Sequence, residues 1–392
     1  MDEISIISSE IKDIESKREY FLQVDIIKAI MIFLVVFDHT VPWLYKDYMG
    51  VALWERISIP MFLVILGFNA GHSFRQKGKV SLKELYSRSY FKRKFWRYVF
   101  PFLILYLLST IVGLAINGFD LVALTQYQPR WDDTHLFIGI LPFWGPGNWF
   151  LPVLFASILL LPILYKGFSG KLIWRILTLI ACFIVEITIQ LLFFFYVYLP
   201  SPLPSPFPTW EAYYNYLHKY LWVVTNPLFM LSAIGLGLWF SKNPDISAKQ
   251  NTFMWILFPL SLLYLIYYQL HEFSFPFIRG DYNLLVFPYS AFLFLILMEV
   301  LPKKSNNLFT KAISVIGKST YHILLTQILY FAIVFSLYGD HYSASLLGIN
   351  PFNPWICLFY LLINWGFCIP LGVVWWYAEK KIRNYRKKIK HS

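Results

Sequence analysis

Long apolar stretches separated by short polar segments run along the whole chain of 392 residues. A helix needs about 20 residues to cross a hydrocarbon layer of about 30 Å. Apolar residues fill whole stretches rather than alternating with polar ones, so the pattern predicts helices and not a transmembrane barrel. We predict ten membrane-spanning helices, at Val24 to Leu44, Ile57 to Phe74, Tyr98 to Ile116, Asn148 to Tyr165, Leu172 to Leu199, Leu221 to Ser241, Thr252 to Leu270, Tyr282 to Leu301, Ala312 to Tyr338 and Trp355 to Tyr377.

The composition leads to the same class of protein. Hydrophobic residues make up 58% of the chain and charged residues 14%, which is too apolar for a soluble protein of this length. We therefore expect an all-α, polytopic membrane protein with an N-terminal segment (1–23), one transmembrane domain (24–377) and a basic tail (378–392). All three cysteines fall inside predicted spans, which favours neither a disulfide framework nor a bound metal.

The distribution of basic residues predicts the orientation in the membrane. Cytoplasmic loops of helical membrane proteins collect Lys and Arg, and a cytoplasmic N-terminus puts nearly all of the 34 Lys and Arg residues on the inner side. Both termini are then cytoplasmic. The net charge of +12 lies where basic side chains meet anionic lipid headgroups, so the lipid bilayer is the expected partner and nucleic acid is not. The basic residues left outside are Lys46, Arg56, Arg130, Lys219 and Arg279.

Two ionisable residues in the first span, Lys28 and His39, stand out because burying such groups in hydrocarbon costs several kcal/mol unless they are paired or wet. Eleven residues separate them, so a helix places them roughly 20° apart on one face and roughly 16 Å apart in height. The alternatives are an ion pair of Lys28 with Asp25, one turn away, and a histidine that only packs against a neighbouring helix. Asp38 is expected to point about 100° away from His39.

Four further segments accompany this spacing, and together they resemble the membrane acyltransferase 3 family, the multispanning O-acyltransferases. Lys28 and His39 match a family pattern of Arg, ten residues and His. The other matching strings, in chain order, are I-P-M-F-L-V-I-L-G-F from Ile59, R-S-Y-F-K-R-K-F-W-R-Y-V-F-P-F from Arg88, G-P-G-N-W-F-L-P-V-L-F from Gly145 and I-G-K-S-T-Y-H-I-L-L-T-Q from Ile316.

Three positions depart from the family's pattern. Lys28 replaces an Arg, which removes a planar fork that grips phosphate but keeps a point charge. Leu66 stands where a Ser is usual, and Gln327 where a His is usual. The resemblance therefore transfers no catalytic histidine to the ninth predicted helix. His322, one turn earlier, either takes that place or packs between helices.

The resemblance implies transfer of an acyl group, commonly acetyl from acetyl-CoA, to a hydroxyl of a cell-surface glycan or a related acceptor at the cell membrane. His39 is then the catalytic residue, either as the base or as a transient acyl carrier. Acyl-CoA is the donor substrate, no metal is needed, and the alternative for the basic run is plain membrane anchoring. The donor's phosphates are expected at Lys28, Arg88, Arg93 and Arg97.

Four residues are candidates for supporting roles, and a transporter is the rival function. The residues considered for support are Asp25, Glu186, His322 and Trp149. Glu186 can pair with a buried base or cation, whereas Trp149 can anchor its helix at the outer interface. The rival is a polytopic transporter or flippase without acyl-transfer chemistry. The chain shows no paired halves with matching Gly- or Pro-interrupted helices, which disfavours that rival.

Overall fold

The computed structural model describes residues 20–78, 81–116, 118–120, 147–193, 228–242, 246–271, 282–304, 307–338 and 353–389. Across these ranges the regular structure is helical, without strands. Several predicted features lie partly outside the described residues. They are the N-terminal segment before residue 20, residues 194–199 and 221–227 of the fifth and sixth predicted spans, and the tail after residue 389.

Thirteen α-helices follow one another along the described ranges. Short 3₁₀ turns at Val51–Leu53 and Leu228–Met230 and a π-helical turn at Phe95–Val99 supplement them. The helices are α1 (Leu22–Asp38), α2 (Trp43–Tyr48), α3 (Ser58–Gln76), α4 (Leu82–Leu85), α5 (Arg88–Lys94), α6 (Phe100–Ile116), α7 (Phe150–Phe168), α8 (Leu172–Phe193), α9 (Leu231–Phe240), α10 (Met254–His271), α11 (Phe287–Val300), α12 (Leu308–Tyr338) and α13 (Pro354–Ile389).

Six helical segments in the described ranges are long and apolar enough to cross a membrane, and two shorter apolar helices accompany them. The all-α, multi-pass membrane class is therefore confirmed. The count of ten spans and the cytoplasmic placement of both termini stay predictions. The six segments are Val51–Gln76, Leu82–Ile116, Phe150–Phe168, Leu172–Leu192, Met254–His271 and Pro354–Tyr385.

The first predicted span is too long at its outer end. Helix α1 stops at Asp38, and His39 forms its C-cap with φ −83° and ψ −3°. Pro42 explains the early stop, because a proline disfavours helical backbone at the residue before it and has no N–H to continue the ladder. Pro42 instead serves as the N-cap of the short helix α2. The prediction of a helix to Leu44 is therefore wrong at that end.

Close helix contacts position the centre of the bundle. Helix α3 packs most extensively on α9, and α1 on α12. A Cβ on Gly67 would collide with the backbone carbonyl of Ile234, and one on Gly317 would collide with the carbonyl of Asp25. Glycine at such crossings lets backbones approach as side chains would not allow. Gly317 thus holds α12 against the turn of α1 that carries Asp25.

Candidate functional site

A cavity of about 750 Å³ lies between α1, α3, α5, α7, α12 and α13. Ligand pockets in proteins usually have volumes of about 300–1,000 Å³. Along α1 the lining runs from Phe21 to Val35, which is roughly 21 Å at 1.5 Å per residue. The cavity is therefore long enough for an extended, chain-like ligand.

Basic side chains line the half of this cavity that is nearer the start of α1, which we call the basic half. Among the described lining residues, Asp25 is the one carboxylate. Such a surplus of positive charge in a cleft raises the local concentration of anions. The basic residues of this half are Lys28, Lys77, Arg93, Lys94, Arg97, Lys318 and Arg383.

Lys28 both forms an ion pair and lines the cavity. Its Nζ lies 2.6 Å from Oδ1 of Asp25, so the ion pair considered from the sequence is present. The other carboxylate oxygen, Oδ2, accepts a hydrogen bond from the Tyr20 hydroxyl at 2.6 Å and lies 3.9 Å from Nζ of Lys318. Asp25 therefore holds two cations at the cavity wall, where either can contact an anionic ligand.

The π-helical turn at Phe95–Val99 directs part of the basic run into the cavity. Nζ of Lys94 lies 5.3 Å from the ring centroid of Tyr98, and the Arg97 guanidinium carbon lies 5.3 Å from the same centroid. Cation–π contacts of this kind hold basic side chains in place. The Tyr321 hydroxyl of α12 donates to the Tyr98 carbonyl at 2.7 Å and ties the turn to the bundle. Turns of this type often occur at functional sites.

His39 lies just beyond the far end of the cavity. Its side chain is 15% exposed, and its ring meets Phe331 edge-on with centroids 5.9 Å apart. Val35, one helical turn earlier, lines the cavity together with Phe150 and Leu324. The cavity therefore begins among basic side chains and ends within one turn of the histidine.

Gly147 marks the point where His39 and Gln327 come together. A Cβ at residue 147 would lie 3.7 Å from Nε2 of His39 and 3.0 Å from Nε2 of Gln327. The backbone there has φ +92°, a conformation that favours glycine. Gln327 is fully buried. The position where the family usually has a histidine is thus beside His39, although a glutamine occupies it here.

Asp38 lies beside His39, contrary to the expectation that it points away. Its Oδ2 is 3.7 Å from Nδ1 of His39, and its Oδ1 is 2.5 Å from Nζ of Lys46. The expectation assumed a continuous helix, whereas α1 ends between the two residues. Lys46 and Arg56, which the sequence placed in outer loops, are 3% and 8% exposed. Folding of α2 back onto the bundle buries Lys46.

The other sequence candidates lie at different places. Arg88 is exposed and does not line the cavity. Glu186 is fully buried and accepts hydrogen bonds from the amide, at 3.2 Å, and the hydroxyl of Ser232, which joins α8 to α9. Trp149 stacks on Tyr282, with ring centroids 5.5 Å apart. Both residues therefore have clear packing roles away from the basic half.

His322 lines the cavity and pairs with a carboxylate of the last helix. Its Nε2 lies 2.7 Å from Oε2 of Glu379, and Nε of Arg383 lies 3.4 Å from the other oxygen of that carboxylate. The sequence did not single out Arg383 or Lys318. Lys318 had a usable signal, since it is a cation inside a predicted span, whereas Arg383 belongs to a tail whose charge any membrane protein could carry.

The helical membrane fold defines a multi-pass membrane protein, and its cavity is lined by basic side chains at one end. A family model described as an acyltransferase domain matches residues 21–375. The protein therefore belongs to the membrane acyltransferase 3 family, as the five motifs indicated, and this membership supports acyltransferase activity. No curated protein and no solved structure matches the chain.

Proposed function

We propose that this protein is an O-acyltransferase that moves an acyl group, acetyl in the simplest case, from cytoplasmic acyl-CoA to a hydroxyl of a glycan or related acceptor at the cell membrane. One observation carries the proposal. A single cavity runs from the basic half, suited to the phosphates of a nucleotide, to within one helical turn of His39.

The donor fits the cavity by charge and by length. Its phosphates would contact Lys28, Arg93 and Arg97, because hydrogen bonds between charged partners are the strong ones. The pantetheine arm would lie along the apolar wall, which includes Ile32 and Val35. The rise from Lys28 to His39, roughly 16 Å, is comparable with the length of an extended arm. The thioester would then reach the histidine.

The reaction needs a group that takes a proton from the acceptor hydroxyl, which is a poor nucleophile at neutral pH. Neutral imidazole can do this near pH 7. As His39 takes the proton, the hydroxyl oxygen attacks the thioester carbonyl carbon and the carbon–sulfur bond breaks. The thiolate then accepts the proton, which yields the ester and free CoA. In the other course the acyl group rests briefly on His39 before the hydroxyl receives it.

The test measures release of the CoA thiol from acetyl-CoA by the purified protein in lipid discs, with a mixed glycan pool as acceptor. We expect His39→Ala to abolish release. We expect Lys28→Ala to raise the KM for acetyl-CoA with a smaller effect on kcat, because its contact is with a part of the donor that does not react. Thiol release that persists in His39→Ala would refute the mechanism.

A transporter or flippase gives a different result in the same assay. Such a protein moves its cargo intact and cleaves no thioester. If neither acetyl-CoA nor longer acyl-CoA donors are cleaved with any acceptor, while labelled glycan crosses vesicles that contain the protein, the acyltransferase proposal fails and the transport function replaces it.

A further inference from the structure

A cluster of charged side chains, most of them buried, includes Asp38, the neighbour of His39, beyond the end of the cavity opposite to the basic half. Lys46, Glu55 and Arg56 are 3%, 1% and 8% exposed, and the side chains of Asp38 and His39 are 16% and 15% exposed. Burying charged groups is unfavourable unless they are well paired. A packing role alone would be served better by apolar residues, so the cluster calls for a functional explanation.

The contacts within the cluster connect Lys46 to Asp38, and Asp38 to His39. Nζ of Lys46 donates to the Asp38 carboxylate at 2.5 Å and also to the Asp38 backbone carbonyl. This double contact fixes the carboxylate at the end of α1. Its second oxygen then faces Nδ1 of His39 at 3.7 Å. The positive charge of Arg56 also attracts the Asp38 carboxylate electrostatically. Nε of Arg56 lies 3.5 Å from Oε2 of Glu55.

The opposite nitrogen of the imidazole lies on the side of Gly147 and Leu324. Nε2 of His39 lies near Gly147, where the lining of the cavity continues through Phe150 and Leu324. A neutral histidine carries its proton on one nitrogen and accepts on the other. Which nitrogen carries it is set by the partner of the other, and a carboxylate beside Nδ1 favours the proton there.

We propose that Asp38, held by Lys46, is a positioning residue that keeps the proton of His39 on Nδ1 and so makes Nε2 the nitrogen that accepts the proton of the acceptor hydroxyl. The 3.7 Å separation is longer than a hydrogen bond, and closure to hydrogen-bond length is expected when substrates bind, as in other sites whose catalytic contacts tighten in the complex. This inference rests on the proposed function. It adds the group that prepares His39 for it.

The decisive variant is Asp38→Asn, which keeps size and shape but presents an amide. An amide can donate to Nδ1, which would move the imidazole proton to Nε2 and block the base. We expect kcat to fall by about 100-fold or more, as for the same exchange in catalytic triads, with the KM for acyl-CoA nearly unchanged. The matched control is Asp47→Asn on α2, an exposed carboxylate near the cluster, which should keep wild-type kcat.

Lys46 provides a second, graded test. Lys46→Gln removes the charge that fixes Asp38 and should lower kcat by about tenfold, because a loosened carboxylate orients the ring only part of the time. Lys46→Arg restores a cation and should recover most of that loss. Failure of the arginine to rescue a folded protein, when Lys46→Gln is impaired, would contradict the positioning role. Thermal unfolding of each variant in detergent shows whether it folds.

A spectroscopic measurement separates this inference from the proposed function. Solid-state ¹⁵N NMR of histidine-labelled protein in lipid, with the His39 signals assigned through His39→Gln, reports which ring nitrogen carries the proton. We expect the proton on Nδ1 in the wild type and on Nε2 in Asp38→Asn. A proton on Nε2 in the wild type, or no change in Asp38→Asn, would overturn the inference whatever the activity. Absence of thioester cleavage in the wild type, with the expected spectra, would instead count against the proposed function alone.

Discussion

Substitution of Gly147 by alanine tests whether the meeting point of His39 and Gln327 is the reacting end of the cavity. The backbone there has φ +92°, beyond the left-handed helical region near +60° that L-residues can reach. A residue held in such a conformation costs about 1–3 kcal/mol. In addition, the new methyl group would lie 3.0 Å from Nε2 of Gln327 and 3.7 Å from Nε2 of His39.

The backbone strain and the new methyl contact should lower kcat by more than the loss of folded protein would explain. If the strain moves the histidine by about 1 Å, kcat is expected to fall by about 100-fold, and the smallest strain, about 1 kcal/mol, corresponds to a loss of about fivefold. The KM for acyl-CoA should stay within about twofold, because the basic half lies at the other end of the cavity. The assay is CoA-thiol release in lipid discs, with thermal unfolding measured on the same samples.

Gly118→Ala is the matched control for this experiment. Gly118 has φ +63°, and a Cβ there would have no neighbour within 4 Å. It therefore adds backbone strain without a clash, and it lies after α6 rather than at the cavity. We expect a small loss of stability and wild-type kcat. A folded Gly147→Ala protein with wild-type kcat, or one in which only the KM rises, would refute the placement of the reacting end.

Three further predictions concern donor binding, helix packing and pH. Arg97→Ala should raise the KM for acyl-CoA by about threefold to tenfold because Arg97 lines the cavity. Arg88→Ala should leave this KM unchanged because Arg88 does not line the cavity. Equal effects of the two variants would contradict the assignment of the cavity as the donor site. Gly237→Ala should lower the free energy of unfolding by about 2 kcal/mol or more, because its Cβ would strike a carbonyl of α3, while Gly366→Ala has open space and should not destabilise. Burial and nearby arginines lower the pKa of Lys242, beyond the end of α9, to about 8. The charged form of Lys242 is thus disfavoured in the folded state. Any increase in the free energy of unfolding caused by Lys242→Gln at pH 7 should therefore shrink as the pH rises through 8 towards 10. An increase that grows over this pH range would contradict the lowered pKa.

The sequence was sufficient where helix geometry alone decides the outcome. The all-α membrane class follows from apolar stretches, and the alignment of Lys28 with His39 follows from 3.6 residues per turn. In the structure Lys28 lies at the cavity wall, and His39 is the C-cap of α1 just past the end of the cavity. The basic run from Arg88 could also be recognised, but not which of its members face inwards. For Arg97 that depends on the π-helical turn, which changes its face relative to the residues of α5.

Contacts between distant segments could not be read from the chain. Lys46 was counted as an outer-loop residue because only the folding back of α2 shows that its amine reaches Asp38. Asp38 itself was set aside on the assumption of an unbroken helix, and Pro42 was the available signal that the helix ends earlier. The partner of Glu186 is Ser232 on another helix, a pairing that no spacing within one helix could indicate.

In the proposed mechanism an acyl group enters at the basic half and leaves at His39. Sealed proteoliposomes, captured through the basic tail after residue 378 so that this tail faces outwards, would receive labelled acetyl-CoA outside and carry the glycan acceptor inside. We expect label on the enclosed acceptor, lost in His39→Ala, and none when donor and acceptor exchange sides. Label transferred only when both are on the same side, or transferred equally by His39→Ala, would contradict it.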